Sequence, residues 1–287
     1  MSDTASGFGQ RLRESVAVTG RLCVGIDPHE GLLDAWGLPV TAEGVRAFGL
    51  RVVEACAGRA GIVKPQVSFF ERFGSAGYAA LEEVIAAARA AGLIVIADAK
   101  RGDIGTTMDA YARAWLSPGS ALEVDAVTLS PYLGVGSLQD TLVFALAHGK
   151  GAFILAATSN PEAAVLQSAR TTDAATSRSV AASVVAEVSA FNARTGAPGE
   201  WASAGFVIGA TVDRAAVGLD ATIEPIAPIL APGFGHQGAR PEDLLAIFGA
   251  LAPAVIVSES RSILSAGPDG MEQAIDDRRG VKGMIGG

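Results

Sequence analysis

Four charged residues, Asp98, Lys100, Arg101 and Asp103 in "DAKRGDIGTT", directly follow the apolar run "GLIVIA". Charges at the end of a buried segment are costly unless paired, so the cluster is a solvated loop, a structural ion-pair network or a reaction site. Asp98 and Lys100 are two apart, which on a strand puts both on one side. Asp27 closes "RLCVGID" and Lys64 lies within "GIVKPQ". If these segments are neighbours, they form an alternating row, Asp27, Lys64, Asp98, Lys100, with Asp103 just beyond. Each charge then has an opposite partner, which offsets the cost of burial. A fixed ammonium in such a row can stabilise negative charge that develops on a substrate and then supply a proton.

A second cluster lies near the C-terminus. "PGFGHQGARP" (232–241) is rich in glycine and offers backbone N–H groups beside Gln237, and "SESRS" carries Ser260 and Arg261. That chemistry suits a phosphate, with Arg261 as the charge and Gln237 as a further donor. "GFGHQG" also reads as G-x-G-x-x-G, with Glu259 at the distance a dinucleotide fingerprint requires. Context opposes that reading, because the next helical pattern starts after the glycines, near Arg240 and Pro241. Ser130 in "TLSPY" and Ser159 in "ATSNP" are either ligand contacts or turn and cap serines. His29, His148 and His236 are scattered, which predicts a loop residue, a helix cap and a solvated or ligand-facing ring. Neither a metal cluster nor a Ser/His/Asp or Cys/His grouping is expected.

These residues need elements to carry them. Apolar, β-branched runs recur at 21–27, 61–66, 93–100, 126–132, 151–159, 205–211, 228–234 and 254–260. Their continuous rather than alternating apolarity predicts parallel strands buried on both faces. Helical patterns such as "AEGVRAFGLRVVEACAGRA" and "SRSVAASVVAEVSAFNART" lie between them, and "SFFE" at 68–71 reads as a capping box. Eight βα units predict an α/β fold, a (β/α)₈ TIM barrel, as one domain over residues 1–287; a doubly wound sheet is the alternative. In a barrel the active site lies at the C-terminal strand ends, where both clusters fall, and the loops after strands seven and eight are the usual phosphate site. The long insert at about 160–204 and the tail after about 268 are expected to be partly helical.

Composition narrows the function classes. The net charge of −8 comes with no basic block, which argues against a nucleic-acid partner but leaves room for a locally positive pocket for a small anion. Two isolated cysteines, Cys23 and Cys56, predict a reduced, cytoplasmic protein without disulfides. "MSDTASGFGQRLRES" has no apolar centre like that of a signal peptide, and no apolar run approaches the ~20 residues of a membrane helix, so no membrane partner is expected.

"DAKRGDIGTT" resembles the D-x-K-x-x-D signature of the orotidine 5′-phosphate decarboxylase family. "GIDP", "VKPQVSFFE", "TLSPYLG", "AATSNP" and "PGFGHQG…SRS" resemble its longer bacterial subtype, so the likeness covers about residues 8 to 268. It implies a TIM barrel acting as a homodimer without metal or organic cofactor. The implied reaction converts orotidine 5′-monophosphate to uridine 5′-monophosphate and CO₂, the last step of de novo pyrimidine synthesis. Carried over, Lys100 matches the lysine that protonates C6, Asp98 the aspartate facing the substrate carboxylate, and Lys64 the lysine linking this array to the ribose. Asp103 and Thr107 match residues donated into the neighbouring subunit's site. Asp27 matches a ribose contact, Ser159 the serine on the pyrimidine ring, and Gln237 and Arg261 phosphate ligands. Ser260 stands where other members often carry glycine. The rivals are a Mg²⁺-dependent aldolase like 3-keto-hexulose-6-phosphate synthase, which shares the D-x-K-x-x-D frame, and a non-catalytic phosphate-binding barrel. The "RGDIGTT" continuation and the intact Asp98, Lys100 and Asp103 favour the decarboxylase.

Overall fold

Eight short strands close on one another: β1 (Leu22–Ile26), β2 (Ile62–Pro65), β3 (Ile94–Arg101), β4 (Ala126–Leu129), β5 (Gly151–Ala157), β6 (Ala204–Ile208), β7 (Ile229–Pro232) and β8 (Val255–Glu259). They follow chain order around the barrel, every pairing is parallel, and β8 closes onto β1 through Leu22 opposite Val257. Each strand starts within one residue of its apolar run. A closed sheet has no reversal of strand order, so the doubly wound alternative falls away. The computed structural model describes residues 6–172, 177–281 and 284.

Twelve α-helices are described: α1 (Phe8–Thr19), α2 (Glu30–Ala35), α3 (Ala42–Cys56), α4 (Ser68–Glu71), α5 (Gly74–Ala90), α6 (Gly105–Leu116), α7 (Gln139–Ala147), α8 (Ala163–Gln167), α9 (Val180–Thr195), α10 (Leu244–Phe248), α11 (Arg261–Leu264) and α12 (Gly267–Arg279). The outer faces of the strands pack on them in one large apolar cluster. Thr41 and Ser179 cap α3 and α9 by accepting from Gly44 N and Ala182 N. The insert after β5 contains α8 and α9 and the tail forms α12, so both expectations of helix there hold; residues 173–176, 282–283 and 285–287 lie outside the described residues.

Inside the barrel a second core cluster joins Cys23, Ile62, Ile94, Ile96, Ala126, Phe153, Val207, Leu230 and Ile256. Helix α1 closes its lower end, a role that the reading of the N-terminus missed. Phe8, Leu12 and Val16 recur every four residues, which is a helical stripe, and all three are buried in this cluster. Phe8 meets Phe153 edge to face at 6.0 Å. Gly151 permits that approach, since a Cβ there would stand 2.1 Å from the Phe8 ring. Burying three such side chains stabilises the plug by about 1.5–3 kcal/mol each.

The capping-box expectation for "SFFE" is corrected. A four-residue helix does form at Ser68–Glu71, but Val67 precedes it and no side chain caps it. Glu71 is engaged elsewhere, with Arg101 and with the Tyr78 hydroxyl at 2.6 Å. Tertiary partners outcompeted the local bond.

Candidate active site

Within each strand the inward positions alternate with outward ones, and their character changes along the barrel axis. Ile62 is followed inward by Lys64, Ile96 by Asp98 and Lys100, Ala126 by Thr128, and Ile256 by Ser258 and Ser260. The lower members belong to the apolar barrel core, and the upper ones line a cavity of about 420 Å³ at the C-terminal strand ends. That volume is in the range of small-molecule sites. The strand period thus carries each chain of side chains from packing to chemistry in one step of two residues.

Asp98 is the centre of the floor. Its Oδ2 accepts from Lys64 Nζ at 2.9 Å and its Oδ1 from Lys100 Nζ at 2.5 Å. The Thr128 hydroxyl donates to Asp98 Oδ1 at 3.0 Å while accepting from the Lys100 backbone N–H at 2.9 Å. Gln66 donates to the Asp98 carbonyl and accepts from Lys100 Nζ at 3.3 Å. Burial alone would raise the Asp98 pKa, but the two ammonium groups hold it well below the usual carboxylate range. Burial would likewise lower the Lys64 pKa, and Asp98 with Asp27 outweighs it, so Lys64 stays charged. The Lys64 side chain is 8% exposed and the Lys100 side chain 46%, which leaves Lys100 as the ammonium that a ligand can reach.

Lys100 is the one non-glycine residue with positive φ (50°) among the described residues. The β3–β4 register shifts between Ala97 and Arg101 at the same place. A side chain in the left-handed region carries strain of about 1–3 kcal/mol, tolerated only where the surroundings impose it. Here the surroundings are Thr128 on the Lys100 N–H and the Arg101 carbonyl accepting from Ser130 N at 2.7 Å. The bulge turns the end of β3 and aims the Lys100 ammonium at Asp98.

The opposite wall comes from the last two units. Gln237, Ser260 and Arg261 line the cavity with His236, Gly233 and Phe234. "GFGHQG" forms a single 3₁₀ turn at Gly235–Gln237, and the next α-helix starts only at Leu244, so the setting of a dinucleotide fingerprint is missing. Asp27 Oδ1 and Ser260 Oγ are buried without a hydrogen-bond partner among the described residues, and a Cβ on Gly25 would stand 3.3 Å from each. Both residues line the cavity.

Seven of the ten site residues expected from the sequence meet at this cavity: Asp27, Lys64, Asp98, Lys100, Gln237, Ser260 and Arg261. Ser159 stands at its rim, with its hydroxyl 3.5 Å from Gln237 Oε1. Asp103 and Thr107 do not line it; Asp103 accepts from the N–H of Ile104, and Thr107 is exposed on the first turn of α6. Ser130 is likewise outside the lining. The sequence reading missed Thr128 and Gln66, which share Asp98 and Lys100; Thr128 was detectable as the inward position two after Ala126. It also set His29 aside as a loop residue, yet His29 lines the cavity edge-on to Phe69 at 4.4 Å. His148 does end its helix, bonded to the Phe144 carbonyl. The cysteines are free and buried, and burial pushes both thiols up to about 12, which leaves them inert as nucleophiles.

Among the described residues no group of three or more His, Cys, Asp or Glu could hold a metal ion, and no helix is long and apolar enough to cross a membrane. The family model of orotidine 5′-phosphate decarboxylase / HUMPS matches residues 20–274. The chain is 51% identical to the orotidine 5′-phosphate decarboxylase of Salinispora tropica over 262 residues, 91% of each protein. A crystal structure from Streptomyces avermitilis, provisionally assigned to the same enzyme, superposes with a TM-score of 0.89 at 45% identity, covering 96% of this chain and 94% of that one. The Leishmania donovani OMP decarboxylase superposes at 0.74 with 31% identity, covering 94% and 95%. A barrel that gathers paired lysines and aspartates at one end of its cavity and a glycine-rich turn with an arginine at the other, and that matches these relatives over nearly its whole length, belongs to the orotidine 5′-phosphate decarboxylase family.

Proposed function

We propose that this chain, as one catalytic domain over residues 1–287, converts orotidine 5′-monophosphate to uridine 5′-monophosphate and CO₂ without a cofactor. The observation that carries the reading is the Asp98 carboxylate held between two ammonium groups in the floor of the cavity. When the bond from C6 to the carboxyl carbon breaks, its electron pair stays on C6 and CO₂ departs. The Lys100 ammonium stabilises that charge and then gives its proton to C6. Asp98 faces the substrate carboxylate and disfavours the bound ground state, while Lys64 and Asp27 hold the ribose. Gln237, Ser260 and Arg261 take the phosphate and Ser159 the pyrimidine. Phosphate binding supplies energy from a remote group to the chemical step, part of the ~8–23 kcal/mol by which enzymes lower barriers. Purified protein should remove the absorbance of orotidine 5′-monophosphate at an undiminished rate in excess chelator. No turnover, or turnover that stops with chelation, would favour the Mg²⁺-dependent aldolase or the silent barrel.

The proposal includes a homodimer in which Asp103 and Thr107 serve the neighbouring site. Both stand outside their own cavity, beside exposed apolar side chains on adjoining loops, Ile104 (62%), Tyr132 (77%) and Leu133 (52%). The two loops touch, since a Cβ on Gly102 would stand 2.4 Å from the Ser130 carbonyl oxygen. Mixing inactive Asp103→Ala with inactive Lys100→Ala should restore activity, because half of the sites in a mixed dimer then carry neither change. A mixture that stays inactive although mixed dimers form would refute the shared site.

A further inference from the structure

Glu259, the last residue of β8, has a fully buried side chain that does not line the cavity. Its Oε2 accepts from the Ser262 hydroxyl at 2.6 Å, on α11. Arg278 of α12 brings its Nε to 2.9 Å from Oε1 as an ion pair without hydrogen-bond alignment. The third neighbour is the glycine-rich turn. A Cβ on Gly235 would stand 2.6 Å from Glu259 Oε2 and 2.6 Å from Ser262 Oγ, and Gly235 has φ +69°. Glycine is therefore required for the turn to rest on this carboxylate. Burial pushes the Glu259 pKa up, against the pull of Ser262 and Arg278. An apolar side chain of similar volume would fill this space without desolvating a charge, so the carboxylate contributes orientation rather than packing.

We propose that Glu259 is a positioning residue for the phosphate end of the site, holding the Gly235–Gln237 turn and the Ser260–Arg261 step in register through Ser262, with Arg278 of the C-terminal helix as its counter-ion. The proposal rests on the assignment of Gln237 and Arg261 to the substrate phosphate. Glu259 is the acid that the glycine motif pairs with on paper, and α12 is the part of the tail that the reaction leaves without a role. Here they meet on one carboxylate.

The test compares equilibrium binding of uridine 5′-monophosphate and of uridine, which differ only in the phosphate, on the full chain. Arg261→Ala should lower the preference for the nucleotide over the nucleoside; if it does not, the phosphate assignment fails, whatever Glu259 does. With that arm positive, Glu259→Gln should weaken nucleotide binding about tenfold, as expected for one charged hydrogen bond, and leave uridine binding unchanged. KM for orotidine 5′-monophosphate should rise in parallel. Arg278→Met, a change at a partly exposed position, should shift the nucleotide preference in the same direction, and Arg278→Lys should retain it. These two decide the matter if Glu259→Gln does not fold. Equal losses for nucleotide and nucleoside, or none for either, would overturn the proposal and leave Glu259 a purely structural residue.

Discussion

Replacing Lys100 by alanine should lower kcat for orotidine 5′-monophosphate by about 10⁴-fold or more, because one group supplies both charge stabilisation and the proton. Lys100 Nζ has half-exposed access to the cavity and a carboxylate at 2.5 Å. No second ammonium can take over, since Lys64 is buried behind Asp98 and bonded to its other oxygen. The phosphate contacts at the far wall remain, so uridine 5′-monophosphate should still bind the variant measurably. Stability should fall only modestly, because Asp98 loses the Lys100 ammonium but keeps the buried Lys64, and alanine retains the Cβ that the left-handed backbone disfavours. Lys100→Arg should be nearly as inactive, as a guanidinium keeps the charge but does not release its proton near neutral pH. Single-turnover absorbance and equilibrium binding on the same samples check both halves. Near wild-type turnover in Lys100→Ala would remove the assignment of this lysine.

Asp98→Asn should cost both turnover and stability. The change leaves Lys64 buried with only Asp27 as a nearby anion and removes the bridge to Lys100. Breaking one partner of a buried ion pair costs about 3–5 kcal/mol, or roughly 6 °C or more in Tm for a domain of this size. The pH dependence has a definite sign. The folded Asp98 pKa is depressed, so its contribution is present above the unfolded value of about 3.9 and fades as the pH falls toward the folded one. Lys64 is the mirror case: its raised pKa contributes below the ordinary lysine value of about 10.4 and is lost as the pH rises through the folded one. The Tm gap between wild type and Asp98→Asn should therefore be flat from about pH 5 to 9 and close in acid. A gap that persists unchanged at pH 3, or one below about 1 kcal/mol throughout, would show that the pair is not the stabilising element described.

The amino-acid sequence by itself determined the eight strands, because a parallel strand buried on both faces must be apolar at consecutive positions, and that signature is local. It also determined which charges reach the cavity from β1, β2 and β3, since the strand period of two puts Lys64, Asp98 and Lys100 on the inward rows. Local rules failed where distant partners compete. Glu71 left the capping box for Arg101 and Tyr78, and the stripe of Phe8, Leu12 and Val16 gained its meaning only when the barrel offered an open lower end. Only the tertiary structure decided the left-handed turn at Lys100, the sharing of Asp98 by Thr128 and Gln66, and the placing of Asp103 and Thr107 outside their own cavity. Each depends on how neighbouring strands stand in register, and register is a property of the closed sheet rather than of any one segment.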